Sequence, residues 1–270
     1  MRIGYGHLDT YAAWTADEYF DLDAQQKQEF HARFDRLHEW HRYEQLPDYA
    51  AFLVGVKARV QKGLAREDAL WIAEGMQARY RAIVRRGAVD AAVLLVTVTP
   101  AQLEALARQW DKDNSRFVRE YRLEDGADAQ RQAVTKRALT RIRFWTGSLS
   151  DEQEGRIAAL VAGMPMIHRL RHEDRLRRQR EFLELMKRRG DRVPFTQTLP
   201  RWLLSWESGR DPEYSRLWND WLLKQADLYA EVDRMLTAKQ REHVMDRLQR
   251  YADDFTRLAQ RPAPQATTAR

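Results

Sequence analysis

The sequence predicts an all-α fold, an antiparallel helical bundle built from two similar helical halves. Glycine and proline are scarce, 12 and 8 among 270 residues, which is too few turn formers for a fold of many short strands. Apolar side chains recur at the spacing of a helix face along much of the chain. Hydrophobic residues make up 44% and charged residues 32%, which excludes a disordered chain and a membrane-embedded one.

Four short motifs mark the starts of helices. Each consists of an apolar residue, then Asp, Thr or Ser, then two further residues and a Gln, and the motifs occupy residues 22–26, 98–102, 149–153 and 236–240. The pattern is that of a capping box, in which the Asp, Thr or Ser side chain accepts a hydrogen bond from the amide of the third helical residue. The Gln side chain at that position accepts in return from the amide of the cap residue.

The four motifs are followed by one apolar pattern. The positions 4, 8, 11 and 15 residues after each Gln lie on one helix face, and they hold Phe30, Phe34, Leu37 and His41; Leu106, Trp110, Asp113 and Phe117; Ile157, Val161, Met164 and His168; and Val244, Leu248, Tyr251 and Phe255. The first and third rows end in His, the second and fourth in Phe. This alternation indicates a duplicated two-motif unit, with pseudo-repeats at about 1–143 and 144–260 inside a single domain of residues 1–260.

Other helices are predicted in the gaps between these starts. One lies near the amino terminus and includes Trp14 and Tyr19, and the others cover about residues 66–86, 128–146, 165–189 and 214–236. Loops are predicted where Gly, Pro, Ser and Asp collect, at Gly126, at Gly147 and at residues 190–194 and 208–212. The Ala-, Pro- and Thr-rich tail 261–270 is predicted to be disordered.

The segment around His41 is the first candidate for a functional or structural motif. It contains Trp40, His41, Arg42, Glu44 and Pro47. Helical spacing places His41 and Glu44 together on the apolar side of the helix, so the pair could act as a ligand or in proton transfer. In the interpretation that we favour, the imidazole and the carboxylate instead satisfy each other where Pro47 removes a backbone donor and kinks the helix.

Two histidine pairs have spacings that bear on metal binding. His38 and His41 are three residues apart, one short of the His-Glu-x-x-His spacing that binds zinc in metalloproteases, which excludes that class. His168 and His172 are four residues apart, a spacing that suits a surface metal site. Because Arg169 lies between them and repels cations, we expect neither a metal nor another cofactor.

The strongest local charge lies in the segment that begins at Arg169 and ends at Arg192. It holds ten basic residues and five acidic ones, enough to attract nucleic-acid phosphates or anionic lipid headgroups. Its apolar residues are spaced as one helix face, so we favour an amphipathic helix with a solvated basic side and expect no nucleic-acid partner. The chain has no cysteine and no recognisable catalytic motif, so we do not expect an enzyme.

The motif at Trp40, His41, Arg42, Glu44 and Pro47, together with the four capping boxes, resembles a family of uncharacterised bacterial envelope lipoproteins. The resemblance implies an outer-membrane lipoprotein that faces the periplasm and carries an amino-terminal lipid anchor. The lipobox cysteine that would bear this anchor is absent from the chain. The capping box is also similar to that of Spy-type periplasmic chaperones, small helical cradles that bind unfolded clients through a basic, partly apolar concave surface, which implies a chaperone-like role.

These observations predict a non-enzymatic, periplasm-facing protein that binds another protein or a cell-envelope component. Two alternatives stay open. One is a metal-binding or enzymatic protein that uses His41 and Glu44 together with His168 and His172. The other is a cytosolic protein that binds nucleic acid through the segment 169–192.

Overall fold

The computed structural model describes Tyr5 and residues 8–260. Within this part of the chain every regular element is a helix, which confirms the predicted all-α class. The predicted tail 261–270 lies outside the described residues. In chain order the elements are α1 (Leu8–Phe20), α2 (Ala24–Trp40), a π-helical turn (His41–Gln45), α3 (Leu46–Lys62), α4 (Arg66–Val96), α5 (Pro100–Tyr121), α6 (Ala127–Thr146), α7 (Asp151–Ala162), α8 (His168–Lys187), α9 (Arg192–Leu204), α10 (Pro212–Arg234) and α11 (Ala238–Gln260).

The predicted capping boxes are confirmed at the starts of α2, α5, α7 and α11. In each box the side chain of the cap residue accepts a hydrogen bond from the backbone amide of the Gln three positions on. The Gln side chain accepts in return from the amide of the cap residue. The four pairs are Asp23 with Gln26, Thr99 with Gln102, Ser150 with Gln153 and Thr237 with Gln240.

The first two capping boxes meet at a buried pair of glutamines. Gln26 Nε2 donates to Gln102 Oε1 at 3.1 Å, and Gln102 Nε2 donates to Gln26 Oε1 at 2.5 Å. Each amide also donates to the carbonyl two residues ahead of the opposite cap, Gln26 to Thr97 O at 3.1 Å and Gln102 to Asp21 O at 2.9 Å. Reciprocal hydrogen bonds therefore join the starts of α2 and α5.

The third and fourth capping boxes have this arrangement as well. Gln153 and Gln240 exchange hydrogen bonds of 2.9 Å in both directions. Their amides also donate to Met235 O at 2.8 Å and to Ser148 O at 2.7 Å, and these carbonyls again precede the opposite cap by two residues. The four predicted helix starts thus form two matching pairs, α2 with α5 and α7 with α11.

One helix is longer than the sequence predicts. α4 continues to Val96 instead of ending near residue 86. Gly87 does not break it, because α2 packs across this face and a β-carbon at Gly87 would lie 3.4 Å from a methyl group of Leu37. Tertiary packing here outweighs the weak helix propensity of glycine.

The loop predicted at residues 190–194 is wrong in its second part, because α9 begins at Arg192. Pro194 stands in the first turn of this helix, where an amide has no helical partner and proline is tolerated. The helix is anchored by Phe195 and Leu199, which are 1% and 0% exposed. Burial of these side chains favours a helix where the local turn formers favour a loop.

Helices from the two predicted halves pack against each other. α3 packs along α11, and α4 packs along both α9 and α10. One apolar cluster accordingly joins Ala92 and Leu106 to Phe182, and another joins Val56 to Leu248. Among the residues described, no helix combines the length and the apolar character that crossing a membrane requires.

Candidate functional site

A partly open cavity of about 520 Å³ lies among α1, α2, α4, α5, α8 and α9. Its volume falls within the ~300–1,000 Å³ that is usual for small-molecule sites. The lining is almost entirely apolar and includes Tyr19, Phe30, Leu95, Trp110, Phe182 and Trp202. The cavity therefore has the size and the chemistry of a site for an apolar ligand.

Aromatic rings from α5, α8 and α9 shape one side of the cavity. Trp110 meets Phe182 edge to face, with ring centroids 5.6 Å apart, and Phe182 lies 5.8 Å from Trp202. Phe182 is buried, whereas the two indole rings are half-buried. α4 contributes the small side chain of Ala91, so the helices keep space between rigid rings and short side chains.

The charged groups of the cavity all come from α8. Arg175, Arg178 and Gln179 follow one another at helical spacing on the face of α8 that borders it. The Arg178 guanidinium stacks over the Trp202 ring at 3.5 Å and donates to Trp202 O at 3.0 Å, and burial lowers the pKa of Arg178. Gln179 exchanges hydrogen bonds of 2.9 and 3.3 Å with buried Asn114.

α1 forms a further side of the cavity and is the least embedded of the surrounding helices. None of its residues is buried. The Tyr19 hydroxyl donates a short hydrogen bond to Asp113, which, with burial, raises the pKa of Tyr19 to about 12. Gln109 Nε2 donates to Glu18 at 3.1 Å. Hydrogen bonds to α5 therefore contribute much of what holds α1 over the cavity.

A second cavity, of about 430 Å³, shares Trp202 with the first. Its lining mixes both charges and includes Arg177, Arg180, Glu181 and Glu184. Arg177 binds Glu181 at 2.5 Å, so the opposite charges largely compensate each other. Five of its eight lining residues are charged, three arginines and two glutamates, so this second cavity suits an apolar ligand less well than the first.

The chain around His41 forms the π-helical turn His41–Gln45, in which the amide of Leu46 bonds to His41 O five residues back. This wider turn rotates Glu44 away from the face that bears His41, and Glu44 is exposed. The prediction that His41 and Glu44 share the apolar side is therefore wrong. The physical reason is Pro47, the second residue of α3, which cannot donate a backbone hydrogen bond and disturbs the regular helical ladder.

His41 lies among aromatic rings instead. The Tyr5 hydroxyl is 3.0 Å from His41 Nδ1, and the Tyr49 ring meets the imidazole edge to face at 5.3 Å. Burial, together with the neighbouring charge of His38, lowers the pKa of His41 to about 4. His41 is therefore neutral at neutral pH and acts as a packed, hydrogen-bonded ring.

The remaining residues of this motif do not converge on one point. Trp40 and Arg42 are half-buried, and Glu44 and Pro47 are exposed. The Arg42 guanidinium lies 5.8 Å from the centre of the Tyr5 ring. His41 therefore points inward, whereas the other residues of the motif lie at different positions around the turn. The motif does not form a single binding site.

His168 is the first residue of α8 and is 6% exposed. Its ring stacks on Tyr121, with centroids 4.3 Å apart. Burial lowers the pKa of His168 to about 4, and the positive charges of Arg171 and Arg137 act in the same direction. His168 therefore matches His41 both in its place in the apolar row and in its neutral state.

His172 and Arg169 also turn toward neighbouring elements. The His172 ring stacks on Phe117 at 5.8 Å, and burial lowers the pKa of His172. Arg169 donates to Leu123 O at 2.5 Å. Across Tyr5 and residues 8–260, no three His, Cys, Asp or Glu side chains come together as a metal site.

Several basic residues of the segment 169–192 bind groups of the protein itself. Arg177 pairs with Asp174 at 2.7 Å and with Glu181 at 2.5 Å. Arg189 donates to Val98 O at 2.7 Å. The Arg177 pairs lie within α8 itself, and Arg189, two residues past the end of α8, joins this segment to the chain just before α5.

Sequence reasoning did not find the cavity. A signal was present in Trp110 and Trp202, two large residues on helices that pack into one cluster. Helical spacing alone does not distinguish a filled core from one with a cavity, because both place large side chains on one face. The cavity depends on how six helices from distant parts of the chain meet.

Comparison with known families yields a match. The model of a family of unknown function, DUF6279, matches residues 18–215. The matched region contains the His41 motif, the first glutamine pair and the aromatic lining of the cavity, and it ends before the fourth capping box. No curated protein and no solved structure matches the chain.

Proposed function

The chain belongs to the DUF6279 family of unknown function, and from the geometry of its cavity we propose that it is a non-enzymatic protein that binds an apolar component of the cell envelope. The observation that supports this proposal most is the apolar cavity of about 520 Å³. Such a lining favours transfer of an apolar ligand out of water, by about 25 cal/mol for each Å² of apolar surface buried. The few polar groups at its border suit orientation of a ligand.

The cell-envelope location is part of the proposal and rests on the resemblance of the His41 motif and capping boxes to envelope lipoproteins. We propose a lipid-anchored protein that faces the periplasm. The test is the intact mass and amino-terminal peptide of the protein purified from its native cell, after separation of membrane and soluble fractions. A diacylated cysteine ahead of the sequence supports the location, and an unmodified Met1 in the cytosolic fraction contradicts it.

A chaperone-like role is the weaker form of the proposal. An unfolded client needs a broad apolar surface, whereas the cavity is a compact space among six helices. Suppression of client aggregation that persists after the cavity is filled by mutation would favour a broad surface over the cavity.

The binding function is tested with N-phenyl-1-naphthylamine, an uncharged apolar probe that fluoresces when it leaves water. Ala91 lines the cavity, and Val93 lies exposed on the same helix. We expect saturable binding by the natural protein, at least tenfold weaker binding by Ala91→Phe and unchanged binding by Val93→Phe, which adds a ring outside the cavity. Circular dichroism verifies that both variants fold. Absence of saturable binding, or equal binding by Ala91→Phe, contradicts the proposal.

A further inference from the structure

The apolar cavity carries charge on one side only. Its charged lining residues are Arg175 and Arg178, both on the same face of α8, whereas α4 and α9 contribute apolar side chains such as Leu95 and Leu199. A ligand that matches this distribution has a long apolar part and one anionic end. An apolar molecule without a charge would leave the arginine side unused.

The two arginines differ in how far the protein already engages them. Arg178 is half-buried, stacks on Trp202 and lies 3.5 Å from Glu181. Arg175 is exposed and forms no ion pair within the described part of the chain, and its guanidinium lies 5.2 Å from the centre of the Phe117 ring. The charge of Arg175 is therefore available to an anion.

Other polar groups at the cavity are already satisfied. Gln26 and Thr97 line it, but the Gln26 amide donates to Gln102 and to Thr97 O, and its oxygen accepts from Gln102. The Tyr19 hydroxyl donates to Asp113. Arg175 is thus the group at this border best suited to bind the polar end of a ligand.

We propose that the cavity binds a single long-chain fatty acid, with its acyl chain along Trp110 and Phe182 and its carboxylate at the guanidinium of Arg175. The inference rests on the proposed binding function and names the ligand class for that site. A carboxylate and a guanidinium form a charge-assisted hydrogen bond, which is stronger than a neutral one. A volume of about 520 Å³ is that of a site for one drug-sized molecule, which favours one acyl chain over a two-chain phospholipid.

The loosely embedded α1 provides a way in for the acyl chain. Tyr19 and Phe20 line the cavity, and α1 buries none of its residues in the fold. Displacement of this helix requires less apolar surface to be exposed than displacement of a core helix. A bound acyl chain adds apolar contacts to α1, so we expect slower amide hydrogen exchange across Leu8–Phe20 when fatty acid is present.

The position of the ligand is tested by tryptophan quenching with 9,10-dibromostearic acid, whose bromine atoms quench indoles that they contact. Trp110 and Trp202 line the cavity, whereas Trp71 packs against Phe52 in a different cluster. We expect saturable quenching that largely disappears in the double variant W110F/W202F and persists in Trp71→Phe. Undiminished quenching in W110F/W202F overturns the proposed site.

The role of the anionic end is tested by comparing the dibrominated acid with the corresponding dibrominated alcohol. We expect Arg175→Ala to weaken binding of the acid about tenfold, the effect of losing one charge-assisted hydrogen bond, and to leave binding of the alcohol unchanged. Arg180→Ala is the matched control, because Arg180 is exposed on the same helix and borders the other cavity. We expect this control to bind both ligands as the natural protein does.

The outcomes separate this inference from the proposed function. If the alcohol binds as tightly as the acid and Arg175→Ala changes neither, the fatty-acid inference is wrong and the apolar-ligand function stands. If lysophosphatidylglycerol binds and the fatty acid does not, the anionic end is a phosphate and the choice of a carboxylate is overturned. If neither the brominated ligands nor N-phenyl-1-naphthylamine binds, both proposals fail.

Discussion

The two glutamine pairs have the same hydrogen bonds but different surroundings. Gln26 of the first pair borders the apolar cavity. Gln153 of the second pair belongs to a helix whose Ile157 and Val161 are 0% and 2% exposed in a filled cluster. The comparison indicates that each pair of capping boxes joins two helix starts in the same way. The side chains further along those helices then determine whether the space between the helices is filled or open to a ligand.

Equivalent positions after the glutamines of the two pairs hold side chains that differ in type and in burial. Four residues after Gln, the first pair has Phe30, which is half-buried and lines the cavity, where the second has fully buried Ile157. Eight residues after Gln, the first pair has the half-buried Trp110 where the second has Leu248, which is 4% exposed. Aromatic rings therefore stand at the cavity where aliphatic chains are buried in two other apolar clusters, and the duplicated unit stays a prediction.

The largest expected loss of stability follows from disruption of either glutamine pair. Removal of either Gln26 or Gln240 takes away both hydrogen bonds to its partner glutamine and leaves a carbonyl and a cap amide without their side-chain partner. We therefore expect Gln26→Ala and Gln240→Ala each to lower the free energy of unfolding by about 4 kcal/mol. Urea unfolding followed by circular dichroism measures this. Gln25→Ala, at the exposed neighbour of Gln26, is the control and should cost under ~0.5 kcal/mol. A large loss of stability in only one of the two variants would show that the two glutamine pairs do not contribute equally to the fold.

The next effect concerns the histidine that follows the third capping box. The pKa of His168 in the folded protein is about 4, below its ordinary 6.5, so the unfolded chain gains a proton first as the pH falls. The contribution of this residue to the free energy of unfolding is complete above pH 6.5 and is lost progressively down to pH 4. The loss between pH 7.5 and pH 5 is about 2 kcal/mol. We expect His168→Phe, which retains a ring against Tyr121, to remove this part of the pH dependence.

Urea unfolding at the two pH values provides the measurement for His168. His31→Gln serves as the control, because His31 is exposed. An unchanged difference between pH 7.5 and pH 5 in His168→Phe would show that this imidazole is not held neutral by burial.

Local patterns allowed much of the fold to be predicted. The cap side chain and Gln of each box, such as Thr99 and Gln102, are three residues apart and form their hydrogen bonds within one turn, so the helix starts are readable from short segments. His168 is buried as its row predicts, but α7 ends at Ala162 and His168 starts α8, so its burial comes from packing between helices and not from continuous helical spacing. At His41 this spacing ends, because the π-helical turn before Pro47 changes which side chains share a face.

The cavity and the use of the basic segment depend on contacts between distant parts of the chain. The aromatic side of the cavity brings Trp110 together with Trp202, and nothing in either local sequence specifies that meeting. Likewise the sequence shows the charge of Arg189, but only the fold shows that it donates to Val98 O. Periodicity predicts which face of a helix is apolar, and packing decides what that face meets.

The packed region should respond strongly to added volume. Val161 is 2% exposed in the filled cluster beside the second glutamine pair, so Val161→Phe forces neighbours away from their preferred rotamers. We expect a loss of about 2 kcal/mol in the free energy of unfolding, measured by urea unfolding in the absence of ligand. Val161→Leu, with a smaller volume increase, should cost less. A tolerated Phe at this position would show that the second region also contains spare space.

The smallest change in stability is expected from volume added at the lining of the cavity. Ala91→Phe adds a whole side chain at the cavity lining, yet the ring enters open space and buries apolar surface, so we expect the free energy of unfolding to change by less than ~1 kcal/mol. The same variant should lose binding of the apolar probe, which separates ligand space from structural packing. Urea unfolding of Ala91→Phe beside Val161→Phe makes the comparison direct. An equal loss in both variants would mean that the region beside the first glutamine pair is as closely packed as the second, and the difference between the two pairs would then lie in side-chain chemistry alone.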